Sequence, residues 1–177
     1  VEAVEAISSS YATKFDRLDL LVHSASVFPR AGLEETSPEM LREVLAIHVE
    51  TPLLLTQRFA PMLRTSHGLV VSMTDLAAER PFKSYLAYSA SKAALANLTT
   101  GFARGLAPEA RAVSIAPGAV AFPDDMTAEE RKAYLSKVPL GRPGTPDDVA
   151  ELILFLATGG SYITGSTIRL DGGRGAL

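Results

Sequence analysis

The chain has no cysteine among its 177 residues. That removes disulfides, thiolate nucleophiles and thiolate metal sites together, and it suits a reducing compartment. Histidine is scarce, and His23, His48 and His67 show no metal-ligand spacing, so no metal site is expected. The opening VEAVEAISSS has two glutamates and no basic stretch, unlike a secretory signal. No apolar run reaches the ~18 residues that a membrane span needs. Neither sign of charge dominates: 17 basic and 20 acidic residues leave a net charge of −3 and a pI near 5.6. The basic residues are scattered, which argues against nucleic acid or an anionic membrane as partner and makes small molecules the default. A soluble, cytoplasmic protein is expected. An initiating methionine is also lacking. The first residues fall inside an amphipathic pattern, with Val1, Val4 and Ile7 at helical spacing, which reads as an N-terminally truncated sequence.

What is present is the composition of one globular domain, 47% hydrophobic and 21% charged. Short apolar runs alternate with longer helical stretches, the signature of a parallel α/β fold. The strands read as Leu18 to Val22, Leu69 to Met73, Ala112 to Ala116 and Ser166 to Leu170. The first is a continuous apolar run, as expected for a strand buried on both faces. Ser37 before Pro38 caps a long helix towards Arg64, with a kink expected at Pro52. Further helices are expected from about Tyr85 to Leu106 and from Pro146 to Ala157. The polar segment PDDMTAEERKAYLSK (Pro123 to Lys137) has a helical flavour and suits either a lid over a site or a solvated surface helix.

In an open parallel sheet, ligands bind beyond the carboxyl ends of the strands. Three segments occupy such places: HSAS (His23 to Ser26), Thr74 with Asp75, and PGAV (Pro117 to Val120). Tyr88 and Lys92 lie four apart in YSASK, on one face of the third helical stretch. A fixed cation beside a phenol stabilises the phenolate and makes tyrosine a competent general acid near neutrality. Spacing alone is weak support, since a chance Tyr-x-x-x-Lys is expected in roughly one such chain in seven. Its context is more specific: Asp75 stands 13 residues upstream, and the proline-glycine strand end follows the helix.

With these motifs in this order, the chain resembles the short-chain dehydrogenase/reductases over essentially its whole length. HSAS takes the place of that family's Asn-Asn-Ala-Gly, YSASK that of its catalytic Tyr-x-x-x-Lys, and SIAPGAV (Ser114 to Val120) that of the loop laid against the nicotinamide. GRPGTPDDVAELILFLAT and SYITGSTIRLDGG resemble the family's last helix and strand. The resemblance implies the C-terminal part of a Rossmann-like doubly wound parallel sheet. Residues 1–177 would then form a single incomplete domain whose first βαβαβ portion is missing. It implies that Tyr88 donates the proton, and that Lys92 lowers its pKa and hydrogen-bonds the nicotinamide ribose. Ser24, Ala25, Pro117, Gly118 and Val120 would line the cofactor beside them. It further implies a homotetramer packed through the two long helices and the C-terminal strand.

The departures from the family pattern carry information. The family's catalytic serine position holds Asp75, as in the pteridine reductase branch. Ala25, Ser26 and Phe28, and the stretch DDM (Asp124 to Met126), resemble that branch too. A carboxylate suits a pterin, whose aminopyrimidine offers N–H donors, whereas a ketone offers only an oxygen. Phe28 would stack on the flat ring. The plainer readings are a turn-capping Asp75 and a core-filling Phe28. His48 aligns with the asparagine that holds a relay water in many members, so it is either a proton relay with a charge that varies near neutrality or a structural histidine. Phe122 stands where a threonine often contacts the nicotinamide amide. No Gly-rich loop between a strand and a helix occurs here, and the residues that would choose NADP over NAD belong to the portion expected to be missing. NADPH is the expected cofactor. The function expected is reduction of a dihydropterin or dihydrofolate. A general carbonyl or 3-oxoacyl-thioester reductase is the second reading, and a non-catalytic fragment or oligomerisation module the third.

Overall fold

A computed structural model describes residues 2–122 and 126–176. Four strands, β1 (Leu20–His23), β2 (Leu69–Met73), β3 (Arg111–Pro117) and β4 (Thr167–Leu170), form one sheet in the order β1-β2-β3-β4. All neighbours are parallel, with Val22 opposite Val71, Val71 opposite Val113 and Ile115 opposite Ile168. Every carboxyl end therefore lies on one edge of the sheet.

Side chains alternate across a strand, and the two core clusters follow that period. Val70 and Ala112 face a cluster with Phe59 and Leu63 of α3 (Thr51–Thr65) and Phe102, Ala103 and Leu106 of α4 (Leu86–Leu106). Leu69, Val71, Val113 and Ile115 face the other way, onto Leu156 of α6 (Pro146–Thr158). Helices thus cover both faces, which is the expected doubly wound arrangement. The first helix, α1 (Glu2–Ala12), packs its Tyr11 against the α3 side; Val1 lies outside the described residues.

The apolar run of β1 suits a strand buried on both faces, but with the first βαβαβ portion expected to be missing it is expected to stand as an exposed apolar edge, and it does. It is an edge strand of this sheet, with Leu20 and Leu21 half-buried and Val22 37% exposed. Its apolar run reports the sheet face it could cover, whereas burial depends on neighbours that local sequence does not encode.

The helix after Ser37 also differs in detail. The Ser37 hydroxyl accepts from the Met40 N–H at 3.2 Å, as the cap predicts, and starts α2 (Pro38–Leu45). A π-helical turn, Ala46–Glu50, then joins α2 to α3 without a break. Pro52 has no N–H for the carbonyl four residues back, that of His48, and its ring crowds that carbonyl. Widening the preceding turn by one residue relieves the conflict, so the expected kink becomes a π turn at His48.

Arg111, at the start of β3, closes the opposite end of the sheet. Its guanidinium donates to the carbonyls of Leu156 (2.8 Å) in the last turn of α6 and of Gly160 (2.6 Å) and Ile163 (3.1 Å) in the loop that follows. The segment expected as a lid or surface helix folds as α5 (Ala128–Leu135), started by a Thr127–Glu130 capping box. Pro123, Asp124 and Asp125 lie outside the described residues, so the DDM resemblance is placed only at Met126. Among the described residues, no helix is long and apolar enough to cross a membrane, and no group of His, Asp and Glu could hold a metal ion.

Candidate active site

The loops after β1, β2, β3 and β4 converge at the carboxyl edge of the sheet around a cleft of about 760 Å³. Asp75 follows β2 and caps the short 3-10 turn Leu76–Ala78, its Oδ1 accepting from the Ala77 N–H at 2.7 Å. Its other oxygen, Oδ2, accepts from the Tyr88 hydroxyl at 2.8 Å. The turn-capping and active-site readings of Asp75 are therefore both realised, one oxygen each. Tyr88 sits in the first turn of α4 and, with Asp75, lines the cleft.

Phe28 is 43% exposed and lines the same cleft, so it is not a core filler. Its ring stacks on Tyr85 at 4.1 Å and meets Tyr88 edge-on at 4.5 Å. Pro117 and Gly118 form part of the cleft wall, but Gly118 has a packing reason of its own: a Cβ there would stand 3.0 Å from the Asp171 Cα. Ser24, Ala25 and Ser26 are exposed after β1, and Val120 packs near Gly144; none of these four lines the cleft, although Ala119 and Ala121 beside Val120 do.

Lys92 lies behind Tyr88, buried, with its ammonium donating to the Met73 carbonyl at 2.9 Å and 5.5 Å from the centre of the Tyr88 ring. The expectation that Lys92 lowers the phenol pKa is not met in this arrangement. Burial pushes the Tyr88 phenol well above its ordinary 10, and the facing Asp75 carboxylate, which accepts its proton, adds to the rise. Two effects that disfavour phenolate outweigh one cation that points at a carbonyl. Burial also lowers Lys92 to about 8 and raises Asp75 above the usual carboxylate range, the latter against the opposing pull of its hydrogen bonds to Ala77 and Tyr88.

His48 is 1% exposed on the π turn. Its Nε2 accepts from the Val27 N–H at 3.2 Å and meets the Ser26 hydroxyl at 3.0 Å. Because Nε2 is an acceptor, Nδ1 carries the proton and donates to the Ser91 hydroxyl at 2.7 Å. Ser91 in turn donates to the Tyr88 carbonyl at 2.7 Å. Burial, with the Lys92 charge second, pushes His48 down to about 4, so its charge does not vary near neutrality as expected. Both ring nitrogens are engaged by protein groups, which makes His48 a bridge between the Ser26–Phe28 loop and α4.

Sequence reasoning passed over three contributors. Ser91 lies inside YSASK, between Tyr88 and Lys92, with no local sign of its bond to His48. Tyr134 of α5 accepts from the Ala119 N–H at 3.0 Å and meets Phe122 edge-on at 5.5 Å, pinning α5 to the loop after β3. Arg174 lies 4.1 Å over the Tyr134 ring and lines the cleft. Only the helical flavour of Pro123 to Lys137 hinted at Tyr134, and nothing local marked Arg174.

A family model described as enoyl-(acyl carrier protein) reductase matches residues 1–174. Dihydromonapterin reductase of Shigella boydii is 34% identical over 177 residues, an alignment covering 98% of this chain and 73% of that protein. The Citrobacter koseri protein of the same name is 33% identical with the same coverage. A glucose/ribitol-type short-chain dehydrogenase/reductase from Brucella melitensis superposes with a TM-score of 0.87 at 27% identity, covering 98% of this chain and 70% of that one. The chain belongs to the short-chain dehydrogenase/reductase family of oxidoreductases. Within that family, dihydromonapterin reductases are among the proteins it is similar to.

Proposed function

We propose that this chain carries the catalytic centre of an NADPH-dependent pteridine reductase acting on dihydropterins or dihydrofolate, with Asp75, Tyr88 and Lys92 as catalytic residues and Ser26 and Phe28 as substrate contacts. The observation that supports it most is the 2.8 Å bond from Tyr88 to Asp75 on the wall of an aromatic cleft. The likeness to dihydromonapterin reductases points the same way.

A carboxylate at this place accepts N–H groups of an aminopyrimidine, and Phe28, stacked on Tyr85, offers a flat apolar face for the ring. The proton required at a ring nitrogen comes from the Tyr88–Asp75 pair. Tyr88 holds it at Oη, and the Asp75 carboxylate that accepts from that hydroxyl orients it towards the ring.

The residues present fit the nicotinamide end of the cofactor. Lys92 has three N–H donors and spends one on Met73, leaving two for ribose hydroxyls, while Ser24 and Ala25 present exposed groups after β1 and Pro117 and Gly118 present wall. When bound, a reduced nicotinamide supplies the hydride. No Gly-rich loop for its pyrophosphate occurs in these 177 residues.

The test is NADPH oxidation by the full-length protein against a panel of dihydropterins and ketones. Asp75→Ala and Tyr88→Phe are each expected to lower pterin turnover about 100-fold or more. Pterin turnover that survives Asp75→Ala would defeat the reading, and a wild type that reduces ketones but no pterin would favour the general carbonyl reductase.

A further inference from the structure

One face of the Phe28 ring is already taken. The Tyr85 ring lies against it with centroids 4.1 Å apart and planes only 14° from parallel. Tyr88 meets the same ring edge-on, at 4.5 Å and 85°. A flat ring entering the cleft therefore has the other face of Phe28 to lie on. Tyr85 lines the cleft as well, and Phe82 meets it edge-on at 6.4 Å. The contacts with Phe28 and Phe82 are made by the Tyr85 ring and not by its hydroxyl.

The backbone that carries these two rings is fastened at several points. The Tyr85 N–H donates to the Phe82 carbonyl at 3.0 Å, and the Tyr85 carbonyl accepts from the Ser89 N–H at 2.9 Å and the Ser89 hydroxyl at 2.8 Å. On either side of Tyr85, the Ala31 N–H donates to the Ser84 carbonyl at 2.8 Å and the Ala31 carbonyl accepts from the Leu86 N–H at 3.0 Å. That parallel bridge ties the loop after β1 to the start of α4. Val27 is held by His48, so Phe28 sits between two pins. The pins fix its backbone but leave its two side-chain torsions free. The face-to-face stack on Tyr85 is the contact that sets the plane of this partly exposed ring.

We infer that Tyr85 is a positioning residue for the ring substrate: by stacking behind Phe28 it presets the plane against which the pterin lies beside Tyr88 and Asp75. The inference rests on the pterin reading of the site. A preset plane spares the substrate the cost of ordering Phe28 when it binds, so Tyr85 acts on affinity. It leaves the Tyr88–Asp75 bond as it is, so the proton step is little affected.

The experiment measures KM and kcat for a dihydropterin in the full-length protein. Tyr85→Leu keeps apolar bulk beside Phe82 but removes the stack, and is expected to raise KM about fivefold with kcat changed less than about twofold. Tyr85→Phe keeps the ring and is expected to hold KM within about twofold of the wild type. Phe28→Leu supplies the second arm: with Phe28 gone, adding Tyr85→Leu is expected to raise KM by less than about twofold further. An unmoved KM in Tyr85→Leu, or a shift that persists at full size on the Phe28→Leu background, would overturn the role. So would a Tyr85→Phe protein as impaired as Tyr85→Leu, because the hydroxyl and not the ring would then be at work. Should Tyr85→Leu not fold, Tyr85→Met takes its place in the same comparison. If the wild type turns over no pterin, the proposed function fails on its own. The role of Tyr85 is then decided by calorimetric titration with a diaminopteridine. Binding weakened by Tyr85→Leu and kept by Tyr85→Phe sustains it, and equal binding by all three proteins, or none by the wild type, overturns it.

Discussion

Replacing His48 with alanine removes one ring that holds Val27 and Ser26 on one side and Ser91 on the other. The two hydroxyls can find other partners, since Ser91 already donates to the Tyr88 carbonyl, but the partly buried Val27 N–H is left without an acceptor. Net loss of about 1 kcal/mol for each of two bonds, with about 1–2 kcal/mol for the stranded N–H, gives about 3–4 kcal/mol in denaturant unfolding at pH 7. The pH dependence, set by burial of the ring, supplies a second test. His48 has its folded pKa depressed from 6.5 to about 4. A depressed group contributes stability that is fully present above its unfolded pKa and is lost as pH falls through the folded one. The window runs from pH 6.5 down to about 4, and that gap corresponds to about 3 kcal/mol. In chemical terms, a protonated Nε2 can no longer accept from Val27. The stability difference between wild type and His48→Ala should therefore be largest at pH 7 and shrink towards zero near pH 4. His23, also depressed to about 4 by burial, is present in both proteins and cancels in the difference. A difference below about 0.5 kcal/mol at pH 7, or one constant from pH 7 to 4, would refute the bridge. If His48 instead served as a relay, His48→Ala would lower kcat without this pH-dependent loss of stability.

Tyr134→Phe keeps the ring under Arg174 but removes the acceptor for the Ala119 N–H, so KM for a dihydropterin should rise a few-fold with a smaller change in kcat. An unchanged KM would show that α5 holds the β3 loop by its rings alone. Arg111→Leu removes the guanidinium from the Leu156, Gly160 and Ile163 carbonyls, of which that of Gly160 keeps the Ile163 N–H, and thermal unfolding should report a loss of about 2–3 kcal/mol, with no change in KM because the sheet end concerned is remote from the cleft.

The sequence by itself determined the elements and their order. Short apolar runs, the Ser37 cap and the proline-glycine stop at Pro117 are short-range signals, and β2, β3, α4 and α6 lie within a residue or two of where those signals put them. It also determined that Asp75, Tyr88 and Lys92 are candidates, because parallel topology sends every strand end to one edge and α4 starts there. Only the tertiary structure decided what those groups do to one another. Spacing puts a lysine on the same helix face as a tyrosine, yet the lysine points at the Met73 carbonyl and the tyrosine at a carboxylate from another element, so burial and Asp75 set the phenol's acidity. The neutral bridge at His48 and the meeting of Tyr134 and Arg174 beside the cleft have the same origin. Desolvation and through-space charge depend on groups brought together across tens of residues, and no local pattern records which groups those will be.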